Sequence, residues 1–110
     1  MLTVEHVREL ALAFDEAVEL PHFHLTSFRI GKKIFATMDV EKRLVMIALT
    51  PVEQSLFVDG DVIRPVPGGW GLKGSTHFEI DRVRQDVFEH ALRIAYRAKA
   101  PKALARKYED

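Results

Sequence analysis

The chain has 110 residues, 47% of them hydrophobic and 29% charged, which suits one domain over 1–110 with its own apolar core. Its 16 basic and 16 acidic residues balance, and the absence of cysteine excludes disulfides, thiolate nucleophiles and cysteine-ligated zinc. The first residues resemble no signal peptide and no apolar run is long enough for a membrane helix, so we expect a cytoplasmic protein without membrane contact.

The amino-terminal third combines a helical pattern with a hairpin pattern. Helical periodicity predicts a helix over about 3–14 with Thr3 as its cap. Pro21 blocks any helical continuation. Two β-rich runs then flank Gly31-Lys32, which predicts a hairpin with a type II′ turn.

The turn fixes a register for this hairpin. A two-residue loop places Ile30 opposite Lys33 and Phe28 opposite Phe35. In that register Phe28 and Phe35 share one face. The opposite face then carries Ile34, Ala36 and Met38.

A third strand over 43–49 follows a turn at 39–42 and carries apolar residues on both faces. Such a strand is expected to be covered on both sides. We expect helices on one face, and either the loop around Trp70 or a second subunit on the other.

The remaining segments complete the fold. Thr50, Pro51 and Glu53 predict a capped start for a short helix. The later elements are an edge strand over 62–66 containing Pro65, a flexible glycine-rich loop over 67–74, a strand over 76–80, and a long helix capped by Asp81 and ended by Pro101. This order predicts a two-layer α+β fold, with an antiparallel sheet of about five strands and helices packed mainly on one face.

Basic residues at the hairpin tip form the first half of a candidate nucleic-acid site. Lys32 and Lys33 protrude from the turn with Arg29 near them, which suits contacts to phosphates without base readout. The alternative is that these lysines protect strand edges from aggregation.

The glycine-rich loop supplies the second half of that site. Trp70 is suited to stacking on a base, with Arg64 and Lys73 on phosphates. The alternative is that Trp70 packs at the edge of the core. Lys73 precedes Gly74, so the loop lacks the spacing of a phosphate-binding loop.

Charge is unevenly distributed along the chain. Residues 1–25 carry five acidic groups and one basic group, whereas residues 82–107 carry eight basic groups and two acidic ones. A basic end can attract nucleic acid. The alternative is that the acidic first helix and the basic last helix are neighbours that partly neutralise each other.

Nothing in the sequence predicts a catalytic or metal site. His22 and His24 share a side of an extended segment, but no pattern brings His77 to them, so we expect structural histidines, no metal and no cofactor. Ser27 and Ser75, like Ser55, lack the glycine context of a nucleophile elbow. We therefore expect a protein that is not an enzyme.

Several short motifs resemble the MmcQ/YjbR family. The matching residues are Pro21-His22-Phe23, Phe28-Arg29, Gly31-Lys32, Phe35-Ala36, Pro65, Gly74, Asp81 and Tyr96. The resemblance implies an α+β fold like that of CyaY or secretion chaperones, and DNA binding through two wing-like hairpins, without agreed catalytic residues. This chain departs from the family at Gly74-Ser75-Thr76, where members commonly have Gly-Trp followed by Val or Thr.

Three functions follow from these observations. The first is weak, non-specific DNA binding through the basic hairpin and the Trp70 loop. The second is an interaction module or homodimer that uses an apolar sheet face. The third is a small-ligand binder that uses Trp70 and the histidines.

Overall fold

The computed structural model describes residues 2–109, an α+β fold of six strands and five helices within that range. The elements are α1 (Val4–Leu12), β1 (Ala17–His22), β2 (Leu25–Ile30), β3 (Lys33–Asp39), β4 (Leu44–Ala48), α2 (Pro51–Phe57), β5 (Ile63–Pro65), α3 (Gly69–Leu72), β6 (Ser75–Glu79), α4 (Gln85–Lys99) and α5 (Lys102–Ala105). A 3-10 turn follows over Arg106–Tyr108. The strands form one antiparallel sheet in the order β1-β2-β3-β4-β6-β5.

The sheet has six strands rather than about five because β1 is a strand that the sequence pattern did not predict. It pairs with β2 along its whole length. Glu19 accepts hydrogen bonds from Arg8 Nε at 2.8 Å and from Thr26 Oγ1 at 2.9 Å, which ties the strand to α1 and β2. Pro21 is compatible with a strand here because β1 lies at the edge of the sheet.

The β2–β3 hairpin has the predicted two-residue loop, and Ile30 lies opposite Lys33. Gly31 has φ +62°, a conformation that glycine adopts without strain. Arg29 also lies opposite Ile34, as the predicted register requires, but a bulge then makes Ala36 rather than Phe35 the partner of Phe28. Phe35 is the extra residue, and both it and Ala36 are fully buried.

Three other predicted boundaries shift. The first helix is capped by Thr3, as predicted, but ends at Leu12. The last long helix begins at Gln85, and Asp81 is not its cap; Asp81 instead accepts a hydrogen bond from Arg43 Nε at 2.6 Å. The glycine-rich segment forms the one-turn helix α3 instead of a flexible loop.

Helix α4 carries the aromatic residues that meet the sheet. Phe88 lies edge-on to Phe78 with ring centroids 6.1 Å apart, and Tyr96 lies edge-on to Phe35 at 5.6 Å. Phe14, just after α1, stacks on Tyr96 at 4.5 Å. The side chains of Phe78, Phe88, Tyr96 and Phe35 are fully buried, so these contacts form the centre of the core.

The acidic and basic ends of the chain meet in the structure. Lys107 Nζ lies 2.6 Å from the carboxylate of Asp15. The Tyr108 hydroxyl accepts a hydrogen bond from the Asp15 backbone N–H at 3.0 Å. These contacts favour the neutralising alternative for part of the basic end. Within residues 2–109, every helix is too short or too polar to cross a membrane.

Candidate functional site

Helix α4 packs on one face of the sheet. We call the other face, which points away from α4, the open face. Its centre is a row of residues in register across all six strands: Leu20, Ser27, Thr37, Met46, His77 and Arg64. The adjacent row, which includes Val45 and Phe78, points towards α4 instead. This alternation follows from the two-residue period of a β-strand.

The basic residues of the hairpin do not form one cluster. Lys32 and Lys33 are exposed at the β2–β3 turn. Lys33 pairs with Ile30, whereas Arg29 pairs with Ile34, so Arg29 and Lys33 lie on opposite faces of the hairpin. Arg29 Nε donates to Ser27 Oγ at 2.8 Å and lies along the open face. The structure therefore keeps the two lysines together and separates Arg29 from them.

Arg64 belongs to an ion-pair network at the far edge of the sheet. Its Nη1 donates to Glu79 Oε2 at 2.9 Å and also to the Asp61 carbonyl oxygen. Hydrogen bonds from Arg82, and then from Arg64, lower the pKa of Glu79 to about 2. Glu79 therefore offsets the charge of Arg64, which reduces its capacity to attract phosphate.

Trp70 and Lys73 lie side by side near one end of the sheet. The Trp70 side chain is 71% exposed, and Lys73 Nζ lies 5.7 Å from the centroid of its ring. Ser75, which follows them, pairs with Ala48. Because Ala36 lies opposite Ile47, the start of β3 and the end of β4 lie at the same end of the sheet. The Gly31-Lys32 turn therefore lies at the sheet end that also carries Ser75. Trp70, Lys73 and the hairpin lysines thus share one end.

A groove with a volume of about 590 Å³ runs along the open face below Trp70. Its lining consists of His22, Leu25, Ile34, Thr37, Met46, Ala48, Leu49, Val66, Trp70, Lys73, Ser75, His77 and Lys99. Among the described residues, this lining includes two lysines and no carboxylate. Val66, Trp70 and Lys73 line one side of the groove, and Trp70 is still 71% exposed. The expectation that the Trp70 loop or a second subunit covers this face therefore stays a prediction.

The structure brings His77 to the same groove as His22, which the sequence did not predict. Burial lowers the pKa of half-buried His77, and the positive charges of Arg64 and Lys42 lower it further. His24 lies nearby, with its Nε2 3.8 Å from Asp39 Oδ2. Within residues 2–109, however, no three His, Cys, Asp or Glu side chains are grouped so that they could hold a metal ion.

The sequence missed Thr37, Met46 and Lys99 as parts of this region. Met46 had a partial signal, because β4 is apolar on both faces and so requires a second apolar environment. No feature of the sequence indicated Thr37 or Lys99. The position of Thr37 depends on the pairing of β3 with β4, and that of Lys99 depends on where α4 ends.

The fold matches that of a solved structure. Protein DR2400 of Deinococcus radiodurans, described as carrying a DUF419 family-model domain, superposes with a TM-score of 0.77 at 16% sequence identity. The match covers 98% of this chain and 88% of that one. DUF419 is part of the MmcQ/YjbR family, so the neighbour agrees with the fold that the sequence motifs imply. At this identity the likeness shows the fold alone.

No family model matches the sequence, and a search of curated proteins finds no match.

Proposed function

We propose that this protein is an MmcQ/YjbR-like nucleic-acid-binding protein that contacts DNA weakly and without reading its base sequence. The observation that carries the proposal is an exposed tryptophan beside a lysine, at the sheet end that also bears Lys32 and Lys33. A flat aromatic ring next to positive charges is the usual arrangement for holding a base and its phosphates.

The proposed contacts divide into two kinds. Trp70 stacks on an unpaired base, which is worth about 1–3 kcal/mol per base. Lys73 and the hairpin lysines contact phosphates, which supplies affinity without sequence information. With a net charge of zero, we expect a dissociation constant on the order of 10⁻⁴–10⁻⁶ M at physiological salt. Because stacking needs an unpaired base, single strands should bind more tightly than duplex.

The location of the site also rests on the placement of the helices. We place them mainly on the sheet face that carries Phe78 and Phe35, which leaves the other face uncovered. In that arrangement the open face and the Trp70 end remain accessible to a long polymer. Arg29 and Arg64 have a smaller part in the proposal, since Arg29 is bonded to Ser27 and Arg64 is paired with Glu79.

The test is a titration of labelled single-stranded and duplex DNA, followed by anisotropy at low and physiological salt. The Lys32→Glu/Lys33→Glu variant should weaken binding at least tenfold. Lys102→Glu/Arg106→Glu is the matched control, because it makes the same change in charge at exposed residues of the carboxy-terminal segment. Equal loss in both variants, or no binding by the unaltered protein at low salt, would refute the proposal.

Exposed apolar side chains favour a second candidate function, a protein-interaction module or homodimer. Val18 and Leu20 are exposed on β1 beside the open face, and Leu72 of α3 is 83% exposed. Val18 and Leu20 share a face of β1, so they form an exposed apolar pair that suits a protein contact. Light scattering after size exclusion tests the homodimer. A monomer at all concentrations would contradict self-association.

A further inference from the structure

The groove below Trp70 has the size and lining of a small-molecule site. Its volume of about 590 Å³ lies in the range of ligand pockets, about 300–1,000 Å³. Ile34, Met46 and Ala48 provide an apolar floor. Leu49 and Val66 extend that surface towards Trp70. An apolar or aromatic body would therefore find contacts along the whole groove.

Charge in the groove is of one sign. Lys73 and Lys99 both line it, and among the described residues no Asp or Glu does. Asp39 lines only the neighbouring recess, which also contains His24 and Lys42. A ligand with one negative headgroup would be complementary to this lining, whereas a cationic ligand would be repelled by the two ammonium groups.

Polar groups on the floor lack protein partners. Thr37 is only 7% exposed, lines the groove, and its hydroxyl forms no hydrogen bond with any other residue of 2–109. The Ser75 hydroxyl and the His77 ring, both in the lining, also have no side-chain hydrogen bond within that range. These groups line the groove, so a bound molecule carrying oxygen atoms can take the place of water as their hydrogen-bond partner.

We propose that this groove binds a small amphipathic carboxylate, whose apolar body lies on Met46 and Ile34 and whose carboxylate is held by Lys73 and Lys99. Trp70 covers the apolar body from the rim, and Thr37 donates a hydrogen bond to an oxygen of the ligand. This site overlaps the proposed DNA site at Trp70 and Lys73, but it does not include the hairpin residues Lys32 and Lys33.

The experiment uses decanoate as the probe, below the concentration at which it forms micelles. Trp70 is the only tryptophan, so its fluorescence reports on the rim of the groove, and calorimetry gives an independent affinity. Decanol and decyltrimethylammonium carry the same chain with a neutral and a positive headgroup. We expect decanoate to bind at least tenfold more tightly than either of them.

Variants separate this proposal from nucleic-acid binding. Lys73→Gln/Lys99→Gln should weaken decanoate binding at least tenfold, and Thr37→Val about threefold or more. Lys32→Glu/Lys33→Glu should leave decanoate binding unchanged while it weakens DNA binding. The proposal is overturned if decanoate does not bind, if all three headgroups bind equally, or if removing Lys73 and Lys99 has no effect. None of these results would bear on the hairpin lysines and DNA.

Discussion

Gly71 of α3 lies against the backbone of Val66, and its replacement by alanine tests how closely α3 approaches that residue. A Cβ atom added at Gly71 would lie 1.8 Å from the carbonyl oxygen of Val66 and 2.9 Å from its carbonyl carbon. Both are backbone atoms. Val66 is held in place because its N–H donates to Ser75 O at 3.0 Å. We therefore expect α3 to move away from Val66.

The cost of that movement has two parts. Forcing a methyl group into a packed position costs about 1–3 kcal/mol. Gly71 O also accepts a hydrogen bond from Gln54 Nε2 at 3.0 Å, and losing it adds about 1 kcal/mol. The Gly71→Ala protein should therefore be less stable by about 2–4 kcal/mol.

Gly69→Ala is the matched control on the same helix. A Cβ at Gly69 would have no atom within 4 Å. Alanine is favoured over glycine by about 0.5–1 kcal/mol in a helix, so this variant should be unchanged or slightly more stable. Urea unfolding followed by circular dichroism measures both variants, with equal slopes required for the comparison. If Gly71→Ala were as stable as Gly69→Ala, the close contact with Val66 would be refuted.

Two further predictions concern the core and the ion-pair network. Phe88→Ala should cost about 3–5 kcal/mol in urea unfolding, since Phe88 is fully buried beside Phe78, whereas Phe23→Ala, at a position 91% exposed, should change stability little. A loss under about 1 kcal/mol for Phe88→Ala would contradict the packing of α4 on the sheet. Arg82 and Arg64 lower the pKa of Glu79 to about 2. The ionised carboxylate therefore stabilises the fold fully above the ordinary glutamate pKa, and this stabilisation is lost as the pH falls towards 2. Glu79→Gln should therefore be less stable than the unaltered protein at neutral pH, with the difference shrinking in acid; a difference independent of pH would contradict this assignment.

The parts of the fold that depend on local chemistry were predictable from the sequence. Thr50 and Glu53 form the reciprocal capping hydrogen bonds that their spacing predicts, at 3.2 and 2.9 Å. Pro101 separates α4 from α5 as expected. Pro65 lies in an edge strand, where its missing N–H removes no ladder hydrogen bond. Each of these features depends on residues within a few positions of one another.

Strand β1 and the bulge at Phe35 depend on distant residues, which explains why the sequence did not predict them. Residues 17–22 form a strand because β2 offers a free edge and because Arg8 binds Glu19 from α1. Phe35 is displaced from the regular register, and its ring lies edge-on to both Phe14 and Tyr96. The packing of three aromatic rings outweighs the regular pairing that the turn alone would set.

The same contrast explains the outcome for the candidate site. Lysines at a turn are exposed wherever the turn lies, so Lys32 and Lys33 were predictable as accessible charges. The direction of Arg29 follows from strand alternation, and the neutralisation of Arg64 requires Glu79, fifteen residues away on a neighbouring strand. The groove also needs Thr37, Met46 and His77 side by side, which only the pairing of three strands achieves. A search for linear motifs does not detect a groove of this kind, because the pairing of strands brings together lining residues that are far apart in the sequence.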